Sequence, residues 1–205
     1  SNVVMFTSGD VADSDSVPTQ TWTAITVTIT NVADEDEYLV IDGSECDITT
    51  AATCVANTAT NAGAAVVTLA GDPVTATVVW TADASSTTDA EMETLINAIA
   101  YKNDDDNPTA GARVITITTL KDEGGTANSG DDSVTVTLAA TATVVAVNDA
   151  PASAGDTVSV AEDVAHNGWT ASTDWGYSDT ENDAMVSVKL ISLPGEGTLT
   201  EDDEN

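Results

Sequence analysis

The chain has 205 residues, and its 35 acidic side chains stand against four basic ones, giving a formal net charge of −31. This balance argues against nucleic acids and anionic membrane surfaces as partners, because both attract positive charge. It favours divalent cations, or a salty medium that screens the repulsion. The apolar residues, 41% of the chain, are patterned and accompanied by many threonines, which predicts a folded all-β protein instead of a disordered one.

The first predicted strand covers residues 21–30, where Ile25, Val27 and Ile29 alternate with Thr26, Thr28 and Thr30. Alternation of this kind is typical of a half-buried strand. An acidic stretch, Asp13 to Asp15, precedes it. Further strands are predicted, separated by Gly, Asn and Asp clusters, at Tyr38–Ile41, Ala65–Leu69, Val74–Trp80, Val114–Leu120 and Val134–Val147.

Cys46 and Cys54 are the only cysteines, with seven residues between them. They either form a disulfide that closes a surface loop in an oxidising compartment or remain two thiols. No histidine or further cysteine is near enough in sequence to suggest a zinc site.

One segment departs from the period of a strand. Across Asp89–Tyr101, apolar residues recur at helical spacing, and Thr88 with Glu91 has the spacing of a capping box. We therefore predict one short helix between strands. A loop follows that carries Asp104–Asp106, and its Pro108 prevents any helix from continuing through it.

A proline-marked joint, Asn148-Asp149-Ala150-Pro151, follows the last long strand. Beyond it the β pattern restarts, with strands predicted at Asp156–Val160 and Met185–Ile191. The acidic stretch before Val186 resembles the one before Ile25, and matching Asp13 to Asp179 gives an offset of 166 residues. This weak repeat predicts a domain at 1–149 that lacks its first strand, and the opening part of a second domain at 150–205.

These residues together resemble a known family. The segments 99–103, 107–117 and 122–125, the joint at 147–151, and the stretches 161–163, 179–183 and 193–199 look like the cadherin-like repeat of giant bacterial surface adhesins. The resemblance implies a cadherin- or immunoglobulin-like β-sandwich, with calcium at the joints between domains. It also implies secretion to the bacterial cell surface and a role as an extender module in adhesion or biofilm. Its partners would be neighbouring repeats or subunits of the same protein.

Calcium binds six to eight oxygen ligands, and carboxylates on both sides of a joint can supply them. We predict a joint site in which Asn148 and Asp149 meet Glu162, Asp179 or Asp183 from one side and Asp122 from the other. Asp13 and Asp15 form a second candidate site, and Asp104–Asp106 a third, weaker one. The predicted ligand set is Asp13, Asp15, Asp122, Asn148, Asp149, Glu162, Asp179, Glu181 and Asp183.

Enzymatic activity is not expected. His166, the only histidine, stands beside Asn167-Gly168 in a predicted loop, and no nucleophile elbow or phosphate-binding glycine loop is present. Two other functions remain open. The chain could assemble into a filament by strand complementation, or it could bind glycans or ice through the face that carries Thr26, Thr28 and Thr30. General acidity of the kind found in halophiles is an alternative explanation of the charge.

Overall fold

The alternating segments of the sequence form two separate sheets in the computed structural model. It describes residues 2–7, 10–12, 21–56, 63–83, 87–124, 131–155, 157, 159, 161–166, 168, 170–189, 191–192, 195 and 198–199. The chain divides into two compact units, Ser1–Val147 and Asn148–Asn205.

The described residues of the first unit form ten strands and one helix. In chain order they are β1 (Val3–Val4), β2 (Trp22–Val32), β3 (Glu37–Ile41), β4 (Ser44–Asp47), β5 (Thr53–Ala56), β6 (Gly63–Ala70), β7 (Val74–Ala82), α1 (Asp89–Ala98), β8 (Ala100–Asn103), β9 (Gly111–Asp122) and β10 (Ser133–Val144). One sheet has the order β1-β8-β3-β4 and the other β10-β9-β2-β7-β6-β5, and the neighbouring strands are antiparallel. Two antiparallel sheets around one core are the architecture of an all-β sandwich.

Strand β2 shows why the core lies where it does. Ile25, Val27 and Ile29 are fully buried, whereas the threonines between them are partly exposed. Since β2 lies inside the six-stranded sheet, its apolar row pairs on the same face with buried rows of β7 and β9. The predicted period of two is therefore confirmed, and Thr26, Thr28 and Thr30 lie on the outer face.

Helix α1 begins where the sequence predicts and ends earlier. The Thr88 hydroxyl accepts from the Glu91 N–H, and the Glu91 side chain accepts from the Thr88 N–H, which completes the capping box. The helix ends at Ala98, not at the predicted Tyr101. Tyr101 belongs to β8 and pairs with Leu39 of β3. Backbone pairing with a distant strand therefore overrides the local helical spacing.

One strand ends earlier than predicted, and another was not predicted. β10 ends at Val144 instead of Val147, because Val144 pairs with Gly111 and β9 offers no residue beyond it. β4 was missed, although Asp42 and Gly43 both have positive φ, at 49° and 74°, as a two-residue hairpin turn requires. The Asp-Gly pair was the signal that could have predicted this hairpin.

In the second unit, the backbones of Ala152 and Ser178 form an antiparallel bridge with reciprocal hydrogen bonds of 2.8 and 3.0 Å. A second short helix, α2 (Ala171–Asp174), corrects the prediction of a single helix. The predicted strand Met185–Ile191 is not formed in its described residues, because no described segment pairs with it. The predicted strand Asp156–Val160 lies partly outside the described residues, and Thr157 and Ser159 are not in a strand.

Candidate functional site

An acidic turn occupies residues 177–183 of the second unit. Asp179 Oδ1 accepts from the N–H groups of Glu181 and Asp183, at 3.1 and 2.9 Å. Asn182 has a positive φ of 62°, and its N–H donates to the Asp179 carbonyl at 3.2 Å. Asp and Asn favour such turns because their short side chains bond to nearby backbone groups and tolerate left-handed geometry. The local sequence therefore folds three carboxylates into one short turn.

The pKa of Tyr177 reflects the negative charge of this turn. Its hydroxyl donates to the Asp183 carbonyl at 2.9 Å. Desolvation of the phenol, followed by the negative charges of Asp179 and Asp183, raises the pKa of Tyr177. A positive ion in this turn would lower the same repulsion.

The linker, which consists of the joint residues Asn148–Pro151, contacts the acidic turn through one hydrogen bond. The Asp149 N–H donates to Glu181 Oε2 at 3.3 Å, and the Asn148 side-chain amide donates to the Asp149 carbonyl at 2.8 Å. The bridge between Ala152 and Ser178 holds the segment after the linker beside the start of the turn. The linker residue Asp149 is thus connected to Glu181, through the Glu181 N–H to Asp179, and through Asp179 to Asp183.

Two other predicted ligands, Asp122 and Glu162, lie elsewhere in the described chain. Asp122 belongs to the first unit, where its Oδ1 accepts from the Gly124 N–H at 2.6 Å. Glu162 is exposed at a turn where Asp163 has a φ of 64°. Within the described residues, no hydrogen bond joins the Glu162 side chain to the 177–183 turn. Asp13 and Asp15 lie outside the described residues.

The donors of the acidic turn fit calcium in their chemistry, because carboxylate, side-chain amide and backbone carbonyl oxygens are the ligands that this hard cation takes. These oxygen atoms do not surround a single point in the way that a metal site requires. In the part of the chain that the structure describes, no three His, Cys, Asp or Glu side chains converge to hold a metal ion. Binding would therefore have to draw these oxygens closer together.

The third candidate, the Asp104–Asp106 loop, is largely engaged within the first unit. Asp104 pairs with the Lys102 ammonium at 2.6 Å. Asp105 Oδ1 accepts from the Asn107 N–H at 2.8 Å, as in a turn closed by an Asx side chain. This loop therefore serves as a matched acidic control for the turn in the second unit.

A buried ion cluster in the first unit was missed by sequence reasoning. Arg113 Nη2 lies 2.9 Å from both Glu37 Oε1 and Asp34 Oδ2, and these three side chains are at most 3% exposed. Glu37 also accepts from the Tyr101 hydroxyl at 2.9 Å and from the N–H groups of Ala33 and Asp34. Arg113 is in phase with the inward-facing Ile115 and Ile117, which is the signal that could have placed its side chain in the core.

The electrostatics of Asp34 follow from this cluster. Burial alone would raise its pKa, but hydrogen bonds from Thr109 and Asn103 and the charge of Arg113 outweigh burial, so the pKa of Asp34 is lowered. Thr109 N–H and Asn103 Nδ2 approach the carboxylate to 2.8 and 2.7 Å. Because protein donors already satisfy these oxygens, the cluster anchors the fold and is not a candidate cation site.

A disulfide joins Cys46 of β4 to Cys54 of β5, with Cα atoms 5.4 Å apart. These strands belong to different sheets, so the bond connects the two layers of the sandwich at one side.

His166 Nε2 lies 3.8 Å from Asp174 Oδ1 in the second unit.

Comparison with protein-family models, with curated proteins and with solved structures found no match. Of the helices that the described residues form, none is long and apolar enough to cross a lipid bilayer.

Proposed function

We propose that this chain is a calcium-stabilised extracellular extender module of a bacterial surface adhesin, with a cadherin-like first domain and part of a following repeat. Two antiparallel sheets support the sandwich architecture. The family resemblance of the joint and of its flanking segments supports the finer assignment. The observation that carries the proposal is the hydrogen bond from the Asp149 N–H to Glu181 Oε2, which ties the linker to an acidic turn.

The physical role of the ion follows from charge. Asp149, Asp179, Glu181 and Asp183 bring four negative charges to the linker and the turn, and these carboxylates repel one another without a counterion. A calcium ion bound there neutralises the repulsion and cross-links linker and turn through shared oxygen ligands. The linker loses freedom to bend, so consecutive repeats form a stiffer array. Such an array would hold an adhesive tip away from the cell surface.

The test is calcium titration of the full chain by calorimetry, with thermal melts in calcium and in chelator. We expect a dissociation constant of about 10⁻⁴ to 10⁻³ M, as in other extracellular calcium modules. The double variant Asp179→Asn with Asp183→Asn should lose this binding. The matched control, Asp105→Asn with Asp106→Asn, removes the same charge from the acidic loop of the first unit and should keep it.

Calcium titration at high and at low sodium concentration distinguishes a coordinated calcium ion from loosely held counterions. A coordinated ion remains bound in moderate salt, whereas a diffuse counterion cloud is displaced. X-ray scattering should also give a longer maximum dimension in calcium than in chelator. Unchanged melting and unchanged dimensions after calcium removal would overturn the proposal.

A further inference from the structure

The inward face of β10 presents apolar side chains that the opposite sheet leaves partly uncovered. Residues of β10 that pair with inward residues of β9 share their face: Leu138 pairs with Ile117 and Ala142 with Arg113. The apolar row of β10 consists of Val134, Val136, Leu138, Ala140, Ala142 and Val144. Yet Val134 and Leu138 are 48% and 45% exposed. A row that points inward and remains half exposed indicates a missing layer.

The missing layer is on the side of β1. In the described residues, the six-stranded sheet continues to β10, while the facing four-stranded sheet ends at β1, which has only two residues. A cleft of about 310 Å³ lies at the Val144 end of the row, between Val3 of β1, Tyr101 of β8 and residues 141–145, and Leu138 and Val134 lie farther along the same strand. One more strand beside β1 would cover the row. Its alternate side chains would point toward β10.

The second unit contains a segment that fits this description. Residues 185–191 read Met-Val-Ser-Val-Lys-Leu-Ile, which is the pattern of a strand, although residues 185–189 and 191, which the structure describes, form no strand. Val186 is 96% exposed and Val188 is 47% exposed. These exposed valines stand at alternate positions and have no partner strand in the described chain. The same molecule therefore presents an uncovered row and an unpaired strand pattern.

Charge favours contact between these two surfaces in a molecule that otherwise repels its copies. The twelve residues of β10 include no charged side chain, and the cleft lining includes none. Residues 185–191 carry one of the four basic residues, Lys189, and no acid. Two copies with a formal charge of −31 each can therefore meet through segments that bring no negative charge to the contact.

We propose that residues 185–191 of one copy add as a strand beside β1 of a second copy. Val186 and Val188, with Leu190 next in the alternation, cover the apolar row of β10, and Ser187 and Lys189 face solvent. This is β-strand addition, in which the backbone supplies affinity and alternate side chains supply specificity. Because each copy has one donor segment and one acceptor row, the contact is head-to-tail and propagates into a filament. The inference goes beyond the proposed extender function and does not depend on calcium.

Sedimentation velocity of the full chain tests the proposal with two variants and two matched controls. Leu138→Asp places a charge in the acceptor row, and Val186→Asp places one in the donor segment. Ala139→Asp and Ser187→Asp add the same charge to the solvent-facing side of the same two segments. We expect wild type and both controls to associate with rising concentration, and both row variants to associate about tenfold or more weakly, as expected from the loss of one buried side chain.

Mixing the two row variants gives the sharpest outcome. Leu138→Asp retains a donor and Val186→Asp retains an acceptor, so the mixture should form a one-to-one complex that does not grow. A wild type that stays monomeric at every concentration would overturn the proposal, and so would row variants that behave like their controls. The measurements are repeated in calcium and in chelator, so a failure of the calcium site is distinguished from a failure of strand addition.

A peptide keeps the test valid if Leu138→Asp does not fold. A labelled peptide of residues 184–192 should bind the Val186→Asp full chain in a fluorescence anisotropy assay. The same peptide with serine at positions 186, 188 and 190 should not bind. Hydrogen exchange should show protection of β1 in the peptide complex. Absence of peptide binding, or binding that leaves β1 unprotected, would contradict the proposal.

Discussion

Arg113 and Glu37 form a bidentate ion pair inside the sandwich, with Arg113 Nη2 2.9 Å from Glu37 Oε1 and Arg113 Nε 3.2 Å from Glu37 Oε2. Glu37 opens β3 in the four-stranded sheet and Arg113 belongs to β9 in the six-stranded sheet. The pair therefore joins the two layers through their core. Asp34 shares the same guanidinium, so one buried cation balances two buried carboxylates.

Replacing this cation is expected to be strongly destabilising. Arg113→Met keeps much of the side-chain volume but leaves Glu37 and Asp34 buried without a counter-charge. Breaking a buried pair in this way costs about 3–5 kcal/mol in the free energy of unfolding. Urea denaturation of wild type and variant measures the loss. Lys102→Met is the control, since Lys102 pairs with the half-exposed Glu45 and Asp104, and its loss should be clearly smaller.

The stabilising effect of Asp34 should depend on pH with a defined sign. Its pKa in the folded protein is lower than the ordinary value of 3.8. The ionised form is thus favoured by folding, and its contribution is present above the unfolded pKa and is lost as pH falls through the folded pKa. The stability gap between wild type and Asp34→Asn should therefore shrink as pH is lowered from about 6 to about 2. Urea melts across this range measure the gap.

The comparison with the variant is necessary because acidification also relieves repulsion among the 35 acidic side chains. That effect is nearly common to both proteins and cancels in the gap. Asp47 provides a second case of the same sign, because hydrogen bonds from Thr49 and Thr50 lower its pKa against the effect of burial. A gap that stayed constant with pH would show that Asp34 does not titrate as described.

Removal of the disulfide should destabilise the first unit moderately. Cys46 and Cys54 are eight positions apart, and closing a loop of this length is worth about 2.5 kcal/mol in the chain-entropy description. We expect Cys46→Ala with Cys54→Ala to lower the free energy of unfolding by this amount in urea. Reductant should produce a similar loss in wild type and none in the variant. Equal stability with and without reductant in wild type would contradict the prediction.

Gly63 should not tolerate a methyl group. A Cβ at this position would lie 2.5 Å from the Trp80 indole, and Trp80 is fully buried. Gly63→Ala should therefore destabilise the first unit by about 1–3 kcal/mol through overpacking, and should alter the tryptophan fluorescence. Gly155→Ala is the control, because no atom lies within 4 Å of its added Cβ. A Gly63→Ala variant as stable as the control would contradict the packing described.

The sequence predicted those features that depend on short-range pattern. The alternation in β2 and the capping box of α1 are readable because one side chain in two, or a pair three residues apart, determines the local geometry. The Asp179 turn is local in the same sense, and its three carboxylates are close in the chain. The predictions that were wrong concern features that depend on a partner far away in the sequence.

Two residues illustrate this limit. Tyr101 was predicted as helical because of its spacing, but pairing with Leu39 across 62 positions places it in a strand. Val186 was predicted in a strand because of its alternation, but the described chain offers it no partner. The Arg113 cluster was not predicted for a different reason. A charged residue in an apolar row indicates burial only when its acidic partners are known.

The Cys46–Cys54 bond has a mechanical consequence for a protein under tension. The seven residues between the cysteines are bypassed by the covalent path, so pulling on the chain cannot extend them. Unravelling therefore releases roughly 22 Å less contour length than the residue count suggests, because eight Cα–Cα steps of about 3.4 Å each are replaced by the 5.4 Å between the two Cα atoms. The two layers also stay fastened at the β4 and β5 side, which directs the first yielding under load toward the opposite side, where β1 is only two residues long.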